Sequence, residues 1–228
     1  MSGHPPEPGS DEGVPPSPAG GDETVEDRLA DRAAARGTPR ADAAARVLRE
    51  LSDIDQAVYR AVASTPSPSI DEPMRRLSDA ANRSVLWLAI AGGLAVAGGR
   101  QGRRAALAGV VSIGAASATV NLGMKSLHRR DRPDRAGAGV VEGRHVKMPT
   151  SSSFPSGHSA SGFAFATAVG REIPVLALPL RLLAGAVAYS RVHTGVHYPG
   201  DTVAGSLVGG ATGLAVGDLM SRIGKDRP

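Results

Sequence analysis

Five apolar segments rich in small residues lie one after another in the second half of the chain. They cover residues 85–99, 105–124, 160–170, 173–189 and 203–219. A helix needs about 20 apolar residues to cross the hydrocarbon core of a bilayer, so the second segment is long enough and the first and third are short. The pattern predicts an all-α, integral-membrane helical bundle with about five spanning helices. Because several segments are short, a soluble bundle of five helices stays open as the alternative.

The spacing of glycines supports close packing between these helices. Gly205, Gly209, Gly213 and Gly217 recur at four-residue steps in the last apolar segment. Small residues at this spacing let two helix backbones approach closely within a membrane. The sequence has no internal repeat and no strand-like alternation of any length, so we expect the structure to be nearly all helix.

The chain outside the apolar segments divides into three parts. Residues 1–37 are rich in Pro, Gly, Asp and Glu and predict a disordered acidic tail, because they offer little apolar surface to bury. Residues 41–83 contain two runs with apolar residues at three- and four-residue steps, which predict amphipathic helices at the membrane interface. Residues 84–222 then form the predicted membrane core, and residues 223–228 form a short basic tail.

Charge and cysteine content narrow the classes of function. The formal net charge is +4, and all 26 Lys and Arg residues lie after an acidic stretch, residues 1–27. A basic body suits nucleic acid or an anionic membrane, but many arginines lie beside apolar runs, so we expect membrane lipids as partners and no nucleic acid. The chain has no cysteine, which excludes disulfides and thiolate zinc sites. The acidic, proline-rich N-terminus is unlike a signal peptide, so we expect the later segments to direct insertion.

Polar residues are concentrated at alternate junctions between the apolar segments. Residues 125–132 follow the second segment, residues 156–158 open the third, residues 191–197 follow the fourth, and Asp201 opens the fifth. If consecutive helices run in opposite directions, all four places lie at the same end of the bundle. Charged groups are costly within a membrane, so we expect them to face a shared polar cavity, with catalytic loops at that end.

The residue types in these clusters suit a phosphoryl group. Guanidinium groups match pairs of phosphate oxygens, and a turn that opens a helix presents free backbone N–H groups to an anion. Two imidazoles can act as nucleophile and general acid, and a carboxylate four residues from one of them can hold its tautomer. The candidate groups are Lys125, Arg132, Arg191, the Ser156-Gly157 turn, His158, His197 and Asp201.

Each cluster has a simpler interpretation when it is taken alone. The basic residues in 125–132 are typical of a cluster that sets membrane topology. The turn at residues 155–157 is also typical of an ordinary helix start. His193 and His197 have the spacing of a metal pair, but the chain has no cysteine and few carboxylates lie nearby, so no metal is expected.

Three spaced patterns carry a resemblance to a known family. They are Lys125-x6-Arg132-Pro133, Pro155-Ser156-Gly157-His158 and Ser190-Arg191-x5-His197-x3-Asp201. Together they resemble the three-part signature of the type 2 phosphatidic acid phosphatase family, and every position of that signature is present. The resemblance covers about residues 41–219, a stretch that is similar to the phosphatase part of actinobacterial proteins fused to a lipid kinase.

The resemblance implies a role for each residue of the signature. His197 would be the nucleophile that forms a phosphohistidine, Asp201 would orient it, and His158 would protonate the leaving group. Lys125, Arg132, Ser156, Gly157 and Arg191 would bind the phosphoryl oxygens. The family needs no metal, so no cofactor is expected. The histidines outside the signature are interpreted as polar loop residues; they are His128, His145 and His193.

The implied function is a multi-pass phosphatase of the cell membrane with its active site facing outward. Its substrates would be lipid phosphate monoesters or diphosphates, either phosphatidate-like or polyprenyl. Many family members have six spans and both ends in the cytoplasm, whereas five spans would place the two ends on opposite sides. Two alternatives stay open: a vanadium-dependent haloperoxidase-like enzyme, because vanadate mimics phosphate, and a non-catalytic protein that binds or transports lipid phosphates.

Overall fold

The computed structural model of the protein describes residues 25–35, 37–125 and 130–225, and all regular elements within these residues are helical. The longer helices, in chain order, are α1 (Val25–Ala34), α2 (Pro39–Ser64), α3 (Pro68–Ala80), α4 (Val85–Ala97), α5 (Gly99–Ala118), α6 (Gly157–Glu172), α7 (Ala177–His193) and α8 (Pro199–Lys225). A π-helix at Thr119–Met124 extends α5, and three-residue 3₁₀ helices form at Asn82–Ser84, Glu142–Arg144 and Pro174–Leu176. The prediction of an all-α structure is confirmed.

The N-terminal helices begin at capping residues and prolines. Thr38 caps α2 by accepting a hydrogen bond from the Ala41 N–H at 3.2 Å, and Pro39 occupies the first helical turn, where its missing N–H is no loss. The two amphipathic helices predicted for residues 41–83 are therefore present as α2 and α3.

The structure differs from the predicted bounds of the two terminal tails. The disordered tail was expected to extend to residue 37, but Val25–Ala34 forms α1, and Asp31 of this helix pairs with Arg49 of α2 at 3.3 Å. Packing against α2 stabilises this short segment in spite of its polar composition. At the other end, α8 continues to Lys225, so the predicted basic tail from residue 223 begins inside a helix. Residues 1–24 and 226–228 lie outside the described residues.

Helix α6 lies at the centre of the bundle. All of residues 159–170 are buried except the half-buried Phe163. Phe165 of α6 packs against Trp87 of α4, with ring centroids 5.5 Å apart. Together with residues of α5 and α7, the two rings belong to the largest group of packed apolar side chains. The surface of α6 is therefore covered by protein on nearly every side.

The glycine spacing in α8 places this helix directly against α6. A side chain at Gly205 would collide with the Ser156 carbonyl oxygen, and one at Gly209 would collide with the Ala160 carbonyl oxygen. Only glycine permits this separation of the two backbones. The prediction that these glycines allow close helix approach is confirmed, and the contact at Gly205 ties α8 to the first residues of α6.

Helix length and composition identify candidate membrane spans. Within the described residues, three helical stretches are long and apolar enough to cross a membrane: Gly99–Met124, Pro174–His193 and Pro199–Arg222. A fourth results if α3 and α4, which are bent by 64° at their junction, count as one span. Helix α6, with 16 residues, falls below this length, yet it runs between the same two ends of the bundle as its neighbours.

The polar junctions do lie at one end of the bundle. The Ser156 N–H at the start of α6 donates to the Asp201 carbonyl oxygen in α8 at 2.9 Å, which joins two of the predicted clusters. At the opposite end, Gln101 of α5 donates to the Glu172 carbonyl oxygen at the end of α6 over 2.7 Å. The helices therefore alternate in direction, as the sequence pattern required.

Helices α2 and α3 cover the polar end of the bundle. Asp71 of α3 accepts from Arg144 at 2.8 Å and lies 2.9 Å from Nε2 of His193. Ser78 of α3 accepts from Arg191 at 2.5 Å. The two amphipathic helices are thus fixed by buried polar contacts to the same end that carries the signature residues.

Candidate active site

His197 and Asp201 form a buried pair at the start of α8. Nδ1 of His197 lies 3.3 Å from Oδ2 of Asp201, and the Tyr198 N–H donates to the same oxygen at 2.9 Å. Both side chains are almost completely buried. A carboxylate that accepts from Nδ1 keeps the proton on that nitrogen, so the lone pair of His197 is on Nε2.

Arg130 is a part of this site that the sequence interpretation did not single out. Its guanidinium donates to Asp201 Oδ1 at 2.8 Å and to Asp55 Oδ2 of α2 at 2.7 Å, and it lies 4.1 Å from the centre of the Tyr198 ring. Asp55 also accepts from the Gly200 N–H at 2.6 Å. The Asp201 carboxylate is therefore held from behind by a buried arginine and, through it, by α2.

Arg132 lies on the nucleophilic side of His197. Its Nη1 donates to the Val196 carbonyl oxygen at 2.7 Å and lies 3.4 Å from Nε2 of His197, while its Nε donates to the Ser151 carbonyl oxygen at 2.9 Å. Lys125 Nζ donates to Ser151 Oγ at 3.3 Å. The segment around Ser151 thus holds two cations next to the free nitrogen of His197.

His158 is held by a residue of the break between α3 and α4. Its Nε2 lies 3.0 Å from Oδ1 of Asn82, whose Nδ2 donates to Asp79 Oδ1 at 3.4 Å. Because an amide oxygen can only accept a hydrogen bond, Nε2 of His158 carries a proton and donates this hydrogen bond to Asn82. Nδ1 of His158 does not take part in this contact. Asn82 lies outside the three signature patterns, so the sequence interpretation did not identify it.

The turn before α6 has a structural role at Ser156 and an open face at Gly157. Ser156 Oγ caps the helix by accepting from the Ser159 N–H at 3.4 Å, and Ser156 itself is fully buried. A side chain at Gly157 would meet only Val120, at 4.0 Å. Gly157 therefore borders open space at the start of α6.

Arg191 lies behind the cavity wall. Its Nη1 donates to Ser78 Oγ at 2.5 Å and to the Ser78 carbonyl oxygen at 3.3 Å. Its Nε is buried and has no hydrogen-bond partner among the described residues. The charge of Arg191 nevertheless acts on the rings of both His158 and His197.

A cavity of about 210 Å³ joins the two imidazoles. Five of the eight predicted site residues line it, namely Lys125, Arg132, Gly157, His158 and His197. The other three stand directly behind this lining: Asp201 behind His197, Ser156 under the helix start, and Arg191 against α3. The signature residues are thus brought together, and their positions separate the groups that face the cavity from those that support them.

Burial shifts the pKa of the site groups that lie outside the spanning helices. Burial lowers the pKa of Lys125, and the neighbouring charge of Arg132 lowers it further. Burial lowers the pKa of Arg132 to about 10, so this group stays a cation at neutral pH. Burial also lowers the pKa of His197 to about 4, against the opposing effect of the Asp201 carboxylate. His197 is therefore neutral at pH 7, as a nucleophile must be.

Among the remaining histidines, His193 has a different environment from the one predicted. His193 is buried at the end of α7 rather than exposed in a loop, because its ring bonds to Asp71. His145 is half-buried, with Nε2 3.1 Å from the Val140 carbonyl oxygen, and His128 lies outside the described residues. No group of three His, Cys, Asp or Glu side chains that could hold a metal ion occurs in the described ranges.

Comparison with known proteins agrees with this geometry. A sequence model of the PAP2 superfamily matches residues 105–224. The decaprenylphosphoryl-5-phosphoribose phosphatase of Mycobacterium tuberculosis (strain CDC 1551 / Oshkosh) is 35% identical over 160 residues, which cover 70% of this chain and 84% of that one. The protein of the same name from Mycolicibacterium smegmatis is 36% identical over 151 residues, covering 65% of this chain and 77% of its own length.

Two solved structures share the fold. The transmembrane PAP2 type phosphatidylglycerolphosphate phosphatase of Bacillus subtilis has a TM-score of 0.57 at 20% identity, over 90% of this chain and 96% of that one. LpxE of Aquifex aeolicus has a TM-score of 0.53 at 24% identity, over 72% of this chain and 94% of its own. The resemblance seen in the three signature patterns is thereby confirmed, and this chain belongs to the PAP2 superfamily.

Proposed function

We propose that this membrane phosphatase hydrolyses a phosphate monoester of a polyprenyl-linked substrate through a phosphohistidine at His197. The observation that carries the proposal is the single cavity in which His197, His158, Lys125 and Arg132 meet. A neutral imidazole with its lone pair on Nε2, a second imidazole and two cations are the groups that phosphoryl transfer to histidine requires.

In the first step, Nε2 of His197 attacks phosphorus. The N–P bond forms while the P–O bond to the leaving oxygen breaks, and Asp201 stabilises the positive charge that develops on the His197 ring. The bound phosphate dianion offsets the cations around His158 and favours its protonated form in the substrate complex; His158 then gives this proton to the leaving oxygen, so that the lipid-linked alcohol departs as a neutral molecule. Because Asn82 accepts from Nε2 of His158, the proton that moves is the one on Nδ1.

In the second step, water attacks the phosphohistidine. His158, now neutral, takes a proton from the water as the new P–O bond forms and the N–P bond breaks. The products are inorganic phosphate, neutral His197 and protonated His158, so both imidazoles return to their starting states. In this second displacement at phosphorus, His197 is the leaving group instead of the nucleophile, and His158 is the general base instead of the general acid.

The cationic groups and the helix start hold the phosphoryl oxygens. Arg132, 3.4 Å from Nε2 of His197, is adjacent to the position that phosphorus must occupy. Lys125 and the N–H groups of the first turn at Gly157 face the same cavity. Arg191, which lies behind the cavity wall, supports the phosphoryl group through its positive charge. Ser156 acts through the helix start that it caps.

The relatives support a polyprenyl-linked substrate. Their name, decaprenylphosphoryl-5-phosphoribose phosphatase, describes a lipid with a phosphate monoester on a sugar. This chain shares 35% identity over 84% of the length of the relative from M. tuberculosis. We therefore take a polyprenylphosphoryl-5-phosphoribose as the first substrate to test, ahead of polyprenyl diphosphates and phosphatidate.

The test is phosphate release by the full-length protein purified in detergent. We expect release from decylphosphoryl-5-phosphoribose in the presence of EDTA, inhibition by vanadate, and loss of activity by several orders of magnitude in His197→Ala. Oxidation of bromide by peroxide after vanadate loading would favour a haloperoxidase instead. Binding of the lipid without phosphate release, unchanged in His197→Ala, would favour a non-catalytic protein and contradict the proposal.

We further propose that the protein lies in the cell membrane with its catalytic end outward. The resemblance to the type 2 phosphatidic acid phosphatase family supports this orientation, whereas exposed basic residues occur at both ends of the bundle; those at the end opposite the site are Arg100, Arg103, Arg104, Arg171 and Arg222. Because the chain has no cysteine, single cysteines report sidedness directly. An impermeant maleimide should label Lys147→Cys in intact cells and Arg103→Cys only after permeabilisation; the reverse pattern would contradict this orientation.

A further inference from the structure

The break between α3 and α4 is strained at two consecutive residues. Arg83 has φ 50° and ψ 28°, and Ser84 has φ 59° and ψ 19°. This is a left-handed backbone conformation that residues other than glycine seldom adopt. The axes of the two helices differ by 64° at this point. Backbone strain of this kind persists where the surrounding structure fixes it, and it is concentrated at ligand-binding positions.

The strained break forms one wall of the catalytic cavity. Ala81, Arg83 and Ser84 line the cavity together with Lys125 and His158. The break also carries Asn82, whose side chain holds His158. The conformation that places Asn82 against the general acid therefore places the next residue, a cation, on the cavity wall.

Arg83 is a charge without a protein partner. It is exposed, and within the described part of the chain it forms no hydrogen bond and no ion pair. The other arginines of the site are engaged: Arg130 with Asp55 and Asp201, Arg132 with carbonyl oxygens, and Arg191 with Ser78. A guanidinium that lines a cavity and is not neutralised by the protein is available to an anionic group of a ligand.

Arg83 is both exposed and part of the cavity lining, so it stands at the edge of the cavity. On the outer side of the break, Val85 is 58% exposed, and it follows directly on the cavity residue Ser84. A lipid chain that leaves the cavity on this side would therefore pass Arg83.

We infer that Arg83 forms a second anionic subsite, which binds a phosphodiester or second phosphate located between the scissile monoester and the lipid chain. This inference deepens the proposed function and rests on it. It assigns to this site substrates with two separate anionic groups, of which polyprenylphosphoryl-5-phosphoribose is one and a polyprenyl diphosphate is another. A lipid with the scissile phosphate as its only anion leaves Arg83 without a partner.

The test compares two substrates that differ only in the second anion. They are decylphosphoryl-5-phosphoribose and decyl 5-phosphoribofuranoside, in which a neutral ether replaces the phosphodiester. The variant is Arg83→Asn, because asparagine tolerates the left-handed backbone and removes the charge. Arg103→Asn, an exposed arginine at the opposite end of the bundle, is the matched control.

We expect Arg83→Asn to lower the ratio of kcat/KM for the phosphodiester substrate over the ether substrate by about tenfold, mainly through KM. Arg83→Lys should restore part of that ratio, and Arg103→Asn should leave the wild-type ratio in place. An equal loss on both substrates, or no loss on either, would overturn the second subsite. If the wild-type protein releases phosphate from neither substrate, the proposed function fails instead. If Arg83→Asn does not fold, an Arg83→Lys protein with the unaltered wild-type ratio and KM overturns the subsite.

Discussion

Arg130 donates to one carboxylate oxygen of Asp201 at 2.8 Å, while the other oxygen of Asp201 faces Nδ1 of His197 at 3.3 Å. Because Arg130 also pairs with Asp55 at 2.7 Å, a buried chain of charges extends from α2 to the nucleophile. The helix that precedes the membrane core is therefore part of the support of the catalytic pair. Asp55 acts on the reaction only through Arg130 and Asp201, as a positioning residue.

Asp55→Asn should lower kcat by about 10- to 100-fold, because the amide weakens the fixed position of Arg130 and, through it, of Asp201. KM should change little, since Asp55 does not line the cavity. Asp53→Asn, an exposed position two residues earlier on the same helix, is the matched control and should behave like the wild type. Equal kcat values for the two variants would show that α2 does not position the nucleophile.

His158→Ala should separate substrates by the quality of their leaving group. An alkoxide needs a proton to depart, so phosphate release from a lipid-linked sugar should fall by about 10²- to 10⁴-fold. A nitrophenolate needs none, so its release from p-nitrophenyl phosphate in the first turnover should be affected far less, even though later turnovers wait for hydrolysis of the phosphohistidine. His197→Ala should abolish both reactions, because the nucleophile is lost whatever the leaving group. The same loss on both substrates in His158→Ala would contradict the role of general acid.

The acid limb of the pH profile should reflect a nucleophile with a low pKa. Burial lowers the pKa of His197 to about 4, so the ring stays neutral and reactive from pH 7 down to about 5. With an unshifted imidazole, kcat/KM would fall about 30-fold between pH 7 and pH 5. After correction for the second ionisation of the substrate, we expect a midpoint well below pH 6. A corrected midpoint near 6.5 would contradict this environment.

The same shift makes a prediction for stability. The folded-state pKa of His197 lies below its ordinary value of 6.5, so its contribution is complete above pH 6.5 and is lost as the pH falls toward about 4. Thermal unfolding in detergent should therefore show a decrease over this range that is smaller in His197→Gln. An identical decrease in the two proteins would assign the acid sensitivity to other groups.

Gly209→Ala should destabilise the bundle by about 1–3 kcal/mol, because the added methyl group meets the Ala160 carbonyl oxygen. Gly210→Ala is the matched control, since a side chain there has no neighbour within 4 Å. Thermal unfolding should show a lower Tm for the first variant and an unchanged or higher Tm for the second. If both variants unfold at the wild-type temperature, α6 and α8 are not in backbone contact.

The sequence predicted the residues of the catalytic cavity better than the residues that position them. Helices that alternate in direction bring Lys125, His158 and His197 to one end, and a spaced pattern expresses this without any knowledge of contacts. Arg130 could not be distinguished from its basic neighbours, because only the fold decides which of them turns inward. Its partner Asp55 lies 75 residues away on a helix whose polar positions all resemble a solvated face.

The number of spans could not be derived from apolar length alone. The sequence pattern counts residues 160–170 as a short span, and in the structure neighbouring helices cover this part of α6; the small residues that allow this contact also give the segment the composition of a membrane span. The break at Arg83 and Ser84 escaped prediction for a related reason. Neither residue is a glycine, so the sequence did not indicate a left-handed turn at the cavity wall.

The most direct test of the mechanism is to trap the covalent intermediate. Rapid quenching of the protein in base during turnover of a ³²P-labelled substrate, followed by peptide mass spectrometry, locates any bound phosphate. We predict a base-stable, acid-labile phosphate on His197 that is absent from His197→Ala and that accumulates in His158→Ala when the labelled substrate is p-nitrophenyl phosphate, whose leaving group needs no acid. Steady turnover with no label on His197 at any time would contradict the account.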